Sequence, residues 1–188
     1  MEDEPPGIDA WRKARRLELL AARLAMSSAE RAAASEHITA RLTALLAGAP
    51  ARMIGFYWPF KGEYDPRPVV RTLHAGGVAL ALPVVIAKAQ PLEFRPWWPG
   101  APMASGVWNI PVPAGGEPVV PDTLLVPLVG FDADSYRLGY GGGFYDRTIA
   151  AMRGRPHTVG IGFACGRLDT IHPRPFDIPM DQIVTDER

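Results

Sequence analysis

The chain has one cysteine, Cys165, in 188 residues. That excludes an intrachain disulfide and a multi-cysteine metal site, and a reducing compartment is the simple reading. Neither charge is in excess, with 20 Lys and Arg against 20 Asp and Glu. Nucleic-acid binders usually carry a basic surplus, so no nucleic-acid partner is expected. Apolar runs of the roughly 18 residues needed to cross a bilayer are missing, so no membrane partner is expected. The start, Met1-Glu2-Asp3-Glu4-Pro5-Pro6, lacks the basic and apolar stretches of a signal peptide. A cytoplasmic location is the expectation. Four histidines, His37, His74, His157 and His172, are scattered and do not suggest a histidine metal site. No Ser-His-Asp or Cys-His grouping points to a covalent nucleophile.

What is present is ordinary globular material, 47% apolar and 21% charged. The length suits a single domain over 1–188, with 1–9 as a loose tail. Nineteen glycines and 20 prolines fall short of low-complexity levels and suggest rigid loops between short elements.

Helical spacing of Trp11, Ala14, Leu17, Leu20, Ala21 and Leu24 predicts a first helix, with Arg12, Arg15, Arg16 and Arg23 on its other face. Ser27 and Glu30 stand at capping-box spacing before a second helix carrying Ala34, Ile38, Leu42, Leu45 and Leu46, which Gly48 and Pro50 end. Further on, strands are expected at 53–58, 78–82 and 92–97, with a helix over 68–74. Residues 99–121 read mostly as loop. The apolar run Thr123–Val129 suits a strand covered on both faces, with Pro127 at a bulge or at its end. A helix over 144–152, a strand over 157–164 and one at 181–185 complete the pattern. Strands alternating with helices imply an α/β fold. The two N-terminal helices are expected to pack on the sheet.

The strongest local signal follows the Thr123–Val129 strand. It reads Gly130-Phe131-Asp132, a short loop, then Arg137-Leu138-Gly139-Tyr140-Gly141-Gly142-Gly143-Phe144-Tyr145-Asp146. Four glycines in five residues let the backbone approach an anion closely and adopt positive φ. The N–H groups of such a loop and of the next helix cradle phosphate, and Arg137 can add a bidentate contact. The segment fits neither Gly-x-x-x-x-Gly-Lys-Ser/Thr nor a clean Gly-x-Gly-x-x-Gly. Taken alone it suits a tight structural turn as well as a phosphate cradle. Asp132, Asp146 and Asp181 are candidate ligands for a magnesium ion riding on phosphate, because magnesium takes hard oxygens and often only one or two carboxylates. Helix capping or plain surface exposure is the alternative for each.

The segment Gly130 to Asp146 resembles the signature of the 5-formyltetrahydrofolate cyclo-ligase family. The similarity runs on in order through Arg12-x-x-x-Arg16, Tyr57-Trp58-Pro59 leading to Glu63 and Asp65, Trp108-Asn109-Ile110-Pro111-x-Pro113, and Asp177-x-x-x-Asp181 before Ile183-Val184-Thr185. It implies a three-layer Rossmann-like fold with a mostly parallel sheet. It also implies ATP- and magnesium-dependent cyclisation of 5-formyltetrahydrofolate to 5,10-methenyltetrahydrofolate with release of ADP and phosphate. By the same resemblance Arg12, Arg16 and Arg137 to Tyr145 hold ATP, and Asp146 and Asp181 hold Mg2+. Trp58, Glu63, Trp108, Tyr140 and Phe144 meet the folate, and Arg137 and Asp146 serve the chemistry. The substrate would be a reduced folate, with or without a polyglutamate tail, bound by a monomer. Three departures stand out: Arg12 where the family commonly has Lys, Phe144 where it commonly has Tyr, and no Gln near Cys165-Gly166-Arg167. They motivate two alternatives, a paralogue acting on another formylated or pterin-like amine, and a non-catalytic folate- or nucleotide-binding regulator.

Overall fold

The computed structural model describes residues 7–48 and 51–187. Four helices, α1 (Ile8–Ala25), α2 (Ser28–Gly48), α3 (Arg67–Ala75) and α4 (Phe144–Ala151), accompany ten strands. These are β1 (Met53–Gly55), β2 (Ala79–Val84), β3 (Glu93–Trp97), β4 (Met103–Ser105), β5 (Pro111–Pro113), β6 (Thr123–Pro127), β7 (Gly130–Phe131), β8 (Arg137–Leu138), β9 (His157–Ile161) and β10 (Gln182–Val184). Six of them form one sheet in the order β10-β9-β6-β1-β2-β3. All neighbours run parallel except β3, which returns antiparallel along β2.

Both faces of the sheet are covered, which gives the three layers that the family resemblance implies. On one face α2 sets Ala34, Ile38, Leu42 and Leu46 against Ile54, Leu125, Val159 and Ile161, with Val69 and Val70 of α3 alongside. On the other, Ile149 of α4 and Met180 pack on Ala81, Leu124 and Val126. The central strand β6 is therefore buried on both sides, as its continuous apolar run requires. Each buried Leu, Ile, Val or Met among them contributes roughly 1.5–3 kcal/mol by leaving water.

Several boundaries follow their local chemistry. The capping box closes as spaced: Glu30 N–H donates to Ser27 Oγ at 3.2 Å, and Ser27 N–H to Glu30 Oε2 at 2.8 Å. Pro127 ends β6, because it has no N–H to give the ladder. β1 stops at Gly55, and Phe56 makes one further bond, from its N–H to Ala81 O.

Other expectations need correction. Of the proposed 1–9 tail, Ile8 and Asp9 begin α1, and residues 1–6 lie outside the described part, as does Pro50. The 99–121 stretch contains a β4–β5 hairpin, and a second hairpin, β7–β8, joins β6 to the glycine loop. The largest change is in α1. Its apolar positions Leu17 and Leu24 are 64% and 56% exposed, whereas Arg12 and Arg23 are 6% and 4% exposed. The helix turns Arg12 and Arg23 inward beside the half-buried Leu19 and Leu20, because it covers polar loops at the sheet's end rather than the sheet.

Candidate active site

The carboxyl ends of β1, β2 and β6 open into a cavity of about 450 Å³, bordered there by Trp58, Val84 and Pro127. Ligands of open α/β sheets bind at this end of the strands.

One wall is the glycine loop. Gly141 and Gly143 sit at φ 94° and 62°, which glycine adopts without cost, and Gly143 caps α4. Two loop carbonyls are taken up by arginines: Gly139 O accepts from Arg16 Nε at 2.7 Å, and Gly142 O from Arg147 Nη1 at 2.5 Å. The first N–H groups of α4 have no partner within the helix and suit an anion. Burial and the neighbouring Arg12 lower the Arg16 pKa from its usual value.

Two buried ion pairs flank this loop. Arg137 Nη2 meets Asp146 Oδ2 at 2.9 Å, and Arg137 Nη1 donates to Ile178 O at 2.9 Å. Asp146 Oδ1 accepts the Ile178 N–H at 3.0 Å, so the carboxylate is tied to residue 178 as well. Next to it Arg12 donates Nη1 and Nη2 to Asp177 at 2.8 and 3.3 Å. Arg12 Nε is buried without a hydrogen-bond partner among the described residues. Arg174 lines the same region, paired to Asp9 at 2.8 Å.

The opposite wall is built around Glu63. A turn over Phe60–Glu63, with Lys61 and Gly62 at positive φ, folds the carboxylate back so that Oε2 accepts the Phe60 N–H at 2.8 Å. Oε1 accepts the Tyr140 hydroxyl at 2.7 Å. Burial raises the Glu63 pKa above its ordinary value, while the bonds from Tyr140 and Phe60 and the charge of Arg23 oppose the rise. Tyr140 is raised by burial and by Glu63, so it stays a donor. Aromatic rings complete this wall. Trp58 carries the Arg67 guanidinium 4.4 Å from its ring centroid, and Phe60 lies nearly parallel to Trp108 at 6.2 Å. Trp108 stands at the tip of the β4–β5 hairpin at φ 55°, an unfavoured conformation for a bulky residue.

Most residues proposed from sequence therefore line one cavity: Arg12, Arg16, Trp58, Glu63, Trp108, Arg137, Gly139, Tyr140, Gly141, Gly142, Gly143, Phe144, Tyr145 and Asp146. Three do not. Leu138 is fully buried in β8, its side chain part of the packed interior. Asp132 caps the β7–β8 hairpin, accepting the N–H groups of Tyr136 and Ile171 at 3.0 Å each. Asp181 precedes β10 at the opposite, amino end of the strands, where Oδ2 accepts from Thr158 N and Oγ1 at 2.8 and 2.9 Å. The structure does not bring Asp181 to Asp146; Asp177 is the carboxylate it brings instead. Sequence reasoning passed over Asp177, Arg23, Arg147 and Arg174. Asp177 had a signal, since it begins the same Asp-x-x-x-Asp spacing, and nothing in the spacing ranks the two aspartates.

Among the described residues no group of three or more His, Cys, Asp or Glu is arranged to hold a metal. Asp146 and Asp177, beside the glycine loop, offer hard oxygens of the kind magnesium takes. No helix among the described residues is long and apolar enough to cross a membrane.

The sequence profile of the 5-formyltetrahydrofolate cyclo-ligase family matches residues 8–186. A 5-formyltetrahydrofolate cyclo-ligase of Escherichia coli K12 is 32% identical over 142 residues, 72% of this chain and 78% of that protein. One from Haemophilus influenzae is 28% identical over 178 residues, 90% of this chain and 94% of that one. The solved 5,10-methenyltetrahydrofolate synthetase of Aquifex aeolicus superposes with a TM-score of 0.80 at 29% identity, covering 94% of this chain and 90% of that one. That of Mycoplasma pneumoniae gives 0.78 at 26%, covering 94% and 99%.

Proposed function

The chain belongs to the 5-formyltetrahydrofolate cyclo-ligase family, and from that premise we propose that it converts 5-formyltetrahydrofolate to 5,10-methenyltetrahydrofolate at the expense of ATP, with magnesium. The observation that carries the reading is one cavity with two unlike ends. A half-buried carboxylate, Glu63, marks one end, and a glycine loop with arginines and a helix N-terminus marks the other.

The chemistry needs such a pairing. A formyl oxygen on nitrogen leaves poorly. Attack by that oxygen on the γ-phosphorus, with ADP departing, turns it into a phosphate leaving group. N10 then adds to the activated carbon, and phosphate departs as the C–O bond breaks, the N10 proton leaving with it as hydrogen phosphate. Positioning and neutralisation of charge on oxygen supply most of the catalysis in phosphoryl transfer. Holding N10 beside the carbon makes ring closure intramolecular.

This chain's residues divide the work. Glu63 accepts N–H donors of the pterin edge, and Tyr140, Trp58, Phe144 and Trp108 bound the ring system. The loop Gly139–Gly143 and the start of α4 receive phosphate, with Arg12 and Arg16 supplying charge. Asp146 and Asp177 are the carboxylates that would hold magnesium, which neutralises phosphate oxygens when bound. Arg137 keeps Asp146 oriented. We read residues 8–186 as one catalytic domain, working as a cytoplasmic monomer on reduced folates with or without a polyglutamate tail.

Incubation with 5-formyltetrahydrofolate, ATP and magnesium tests the reading. It predicts methenyl absorbance and ADP in equal amounts. A folded sample that gives neither rules it out.

A further inference from the structure

Arg23 is 4% exposed and belongs to neither pair that flanks the phosphate cradle. Its three donating nitrogens are each committed. Nε donates to Lys61 O at 3.0 Å, Nη1 to Leu128 O at 3.0 Å, and Nη2 to the Tyr140 hydroxyl at 2.7 Å. The guanidinium therefore joins α1, the Phe60–Glu63 turn, the exit from β6 and the glycine loop at one point. Arg31 reinforces the joint, donating Nη2 to Arg23 O at 2.7 Å and Nη1 to Gly62 O at 2.6 Å.

The direction of the hydrogen bonds follows from the atoms alone. A guanidinium can only donate, so the Tyr140 oxygen must accept from Arg23. Its single proton is then left for Glu63 Oε1, 2.7 Å away. The buried Arg23 and the half-buried Glu63 thus form a charge pair with one phenol hydroxyl between them. We propose that Arg23 is a positioning residue for the folate. It fixes the Tyr140 hydroxyl as a donor to Glu63 and keeps that carboxylate ionised to receive the pterin's N–H groups.

Glu63 is otherwise poorly provided with charge. The groups that face it are Tyr57 after β1, Tyr140 in the loop, Tyr145 on α4 and Arg23 on α1. Tyr57, Tyr140 and Tyr145 all have raised pKa values, chiefly through burial. The exposed Lys61 ammonium lies 6.0 Å from the Tyr140 ring centroid, and Arg23 is the buried cation hydrogen-bonded to this group. Without it the Tyr140 hydroxyl is no longer fixed toward Glu63 and a cation is lost, so burial pushes the carboxyl further toward its protonated form, which accepts less well. Arg16, Arg137 and Arg147 serve the other end of the cavity, so ATP should not sense the loss.

The inference rests on the folate reading, and the experiment separates the two. KM for 5-formyltetrahydrofolate, KM for ATP and kcat are measured from about pH 6 to 9, the range above an ordinary carboxylate pKa, for wild type, Arg23→Met, Tyr140→Phe and the double variant. Wild type should give a flat folate KM. Arg23→Met should raise it by roughly 10- to 100-fold, the scale of a lost bond to a charged group, with ATP KM unchanged. The variant's folate KM should fall as pH rises, because base restores the Glu63 carboxylate. Tyr140→Phe should show the same pH trend, and the double variant should be little worse than either. If Arg23→Met does not fold, Tyr140→Phe carries the test, since it leaves Arg23 on both carbonyls. A pH-independent folate KM in Tyr140→Phe, or equal rises in ATP and folate KM, overturns the inference alone. Absence of wild-type turnover overturns the folate reading, and this inference with it.

Discussion

Asp177 holds Arg12 through two hydrogen bonds, at 2.8 and 3.3 Å, with both side chains 8% exposed. Asp177 lines the cavity together with Asp146, whereas Asp181 is bound to Thr158 at the other end of the sheet. Asp177→Asn should therefore lower magnesium-dependent turnover by roughly two orders of magnitude, the scale of one lost charge contact in the transition state. Asp181→Asn should leave turnover unchanged. Initial rates over a magnesium titration check both, and a large loss in Asp181→Asn would restore the pairing first read from the sequence.

Asp181 has a different consequence, on stability. Burial tends to raise its pKa, but the bonds from Thr158 and the charges of Arg155 and His157 outweigh that and lower it. A carboxylate whose folded pKa lies below its unfolded value of about 3.9 stabilises the protein above that pH. The contribution disappears as pH falls through the folded value. Melting temperatures of wild type and Asp181→Asn should therefore differ at neutral pH, with the variant lower. They should converge in strong acid. Curves that stay parallel down to acid would show that the charge is not the source.

Gly141 lies at φ 94°, and a Cβ there would stand 3.4 Å from the Arg16 guanidinium carbon. The space is adequate and the backbone angle is not. Gly141→Ala should cost roughly 1–2 kcal/mol of local strain, relieved by a shift of the loop. KM for ATP should rise and KM for the folate should hold. Equal effects on both substrates would mean that the loop's shape serves the whole cavity.

How much of this was legible in the sequence depended on whether the signal was local. The capping box of α2, its Ala34-Ile38-Leu42-Leu46 face and the apolar run of β6 all report on burial within a few residues, and each appears as read. The glycine loop was readable because positive φ selects glycine whatever surrounds it. Burial of α1 was not readable. Helical spacing puts its leucines on one face, yet the partners are loop carbonyls from residues 61, 128 and 139, which attract arginine instead. The two-residue strands of the β7–β8 hairpin are too short to show alternation. Asp177 and Asp181 are four residues apart in both readings. Only the fold shows that the chain between them runs from one end of the sheet to the other, a span of up to about 13 Å when extended.

Leu138 sits among the glycine-loop residues in sequence, but its side chain is fully buried. Leu138→Ala should leave a cavity and cost roughly 2–5 kcal/mol. Denaturant unfolding would show the loss. Turnover by the folded fraction should keep the wild-type KM for ATP, since no atom facing the cavity has changed. A raised ATP KM at full folding would instead make Leu138 part of the nucleotide site.

Arg12 and Arg16 lie one helical turn apart and should separate stability from binding. Arg12→Ala leaves the Asp177 carboxylate buried without its partner, a loss of roughly 3–5 kcal/mol. Arg16 is half-buried and bonds a loop carbonyl rather than a carboxylate, so Arg16→Ala leaves no charge stranded. Its removal should raise KM for ATP while the unfolding midpoint stays near wild type. Arg12→Ala should lower the midpoint and raise KM for ATP together, and the double substitution Arg12→Leu, Asp177→Leu should recover the midpoint without recovering ATP binding. Failure of the midpoint to recover would mean that Arg12 stabilises the fold through its packing against α1's neighbours and not through the pair.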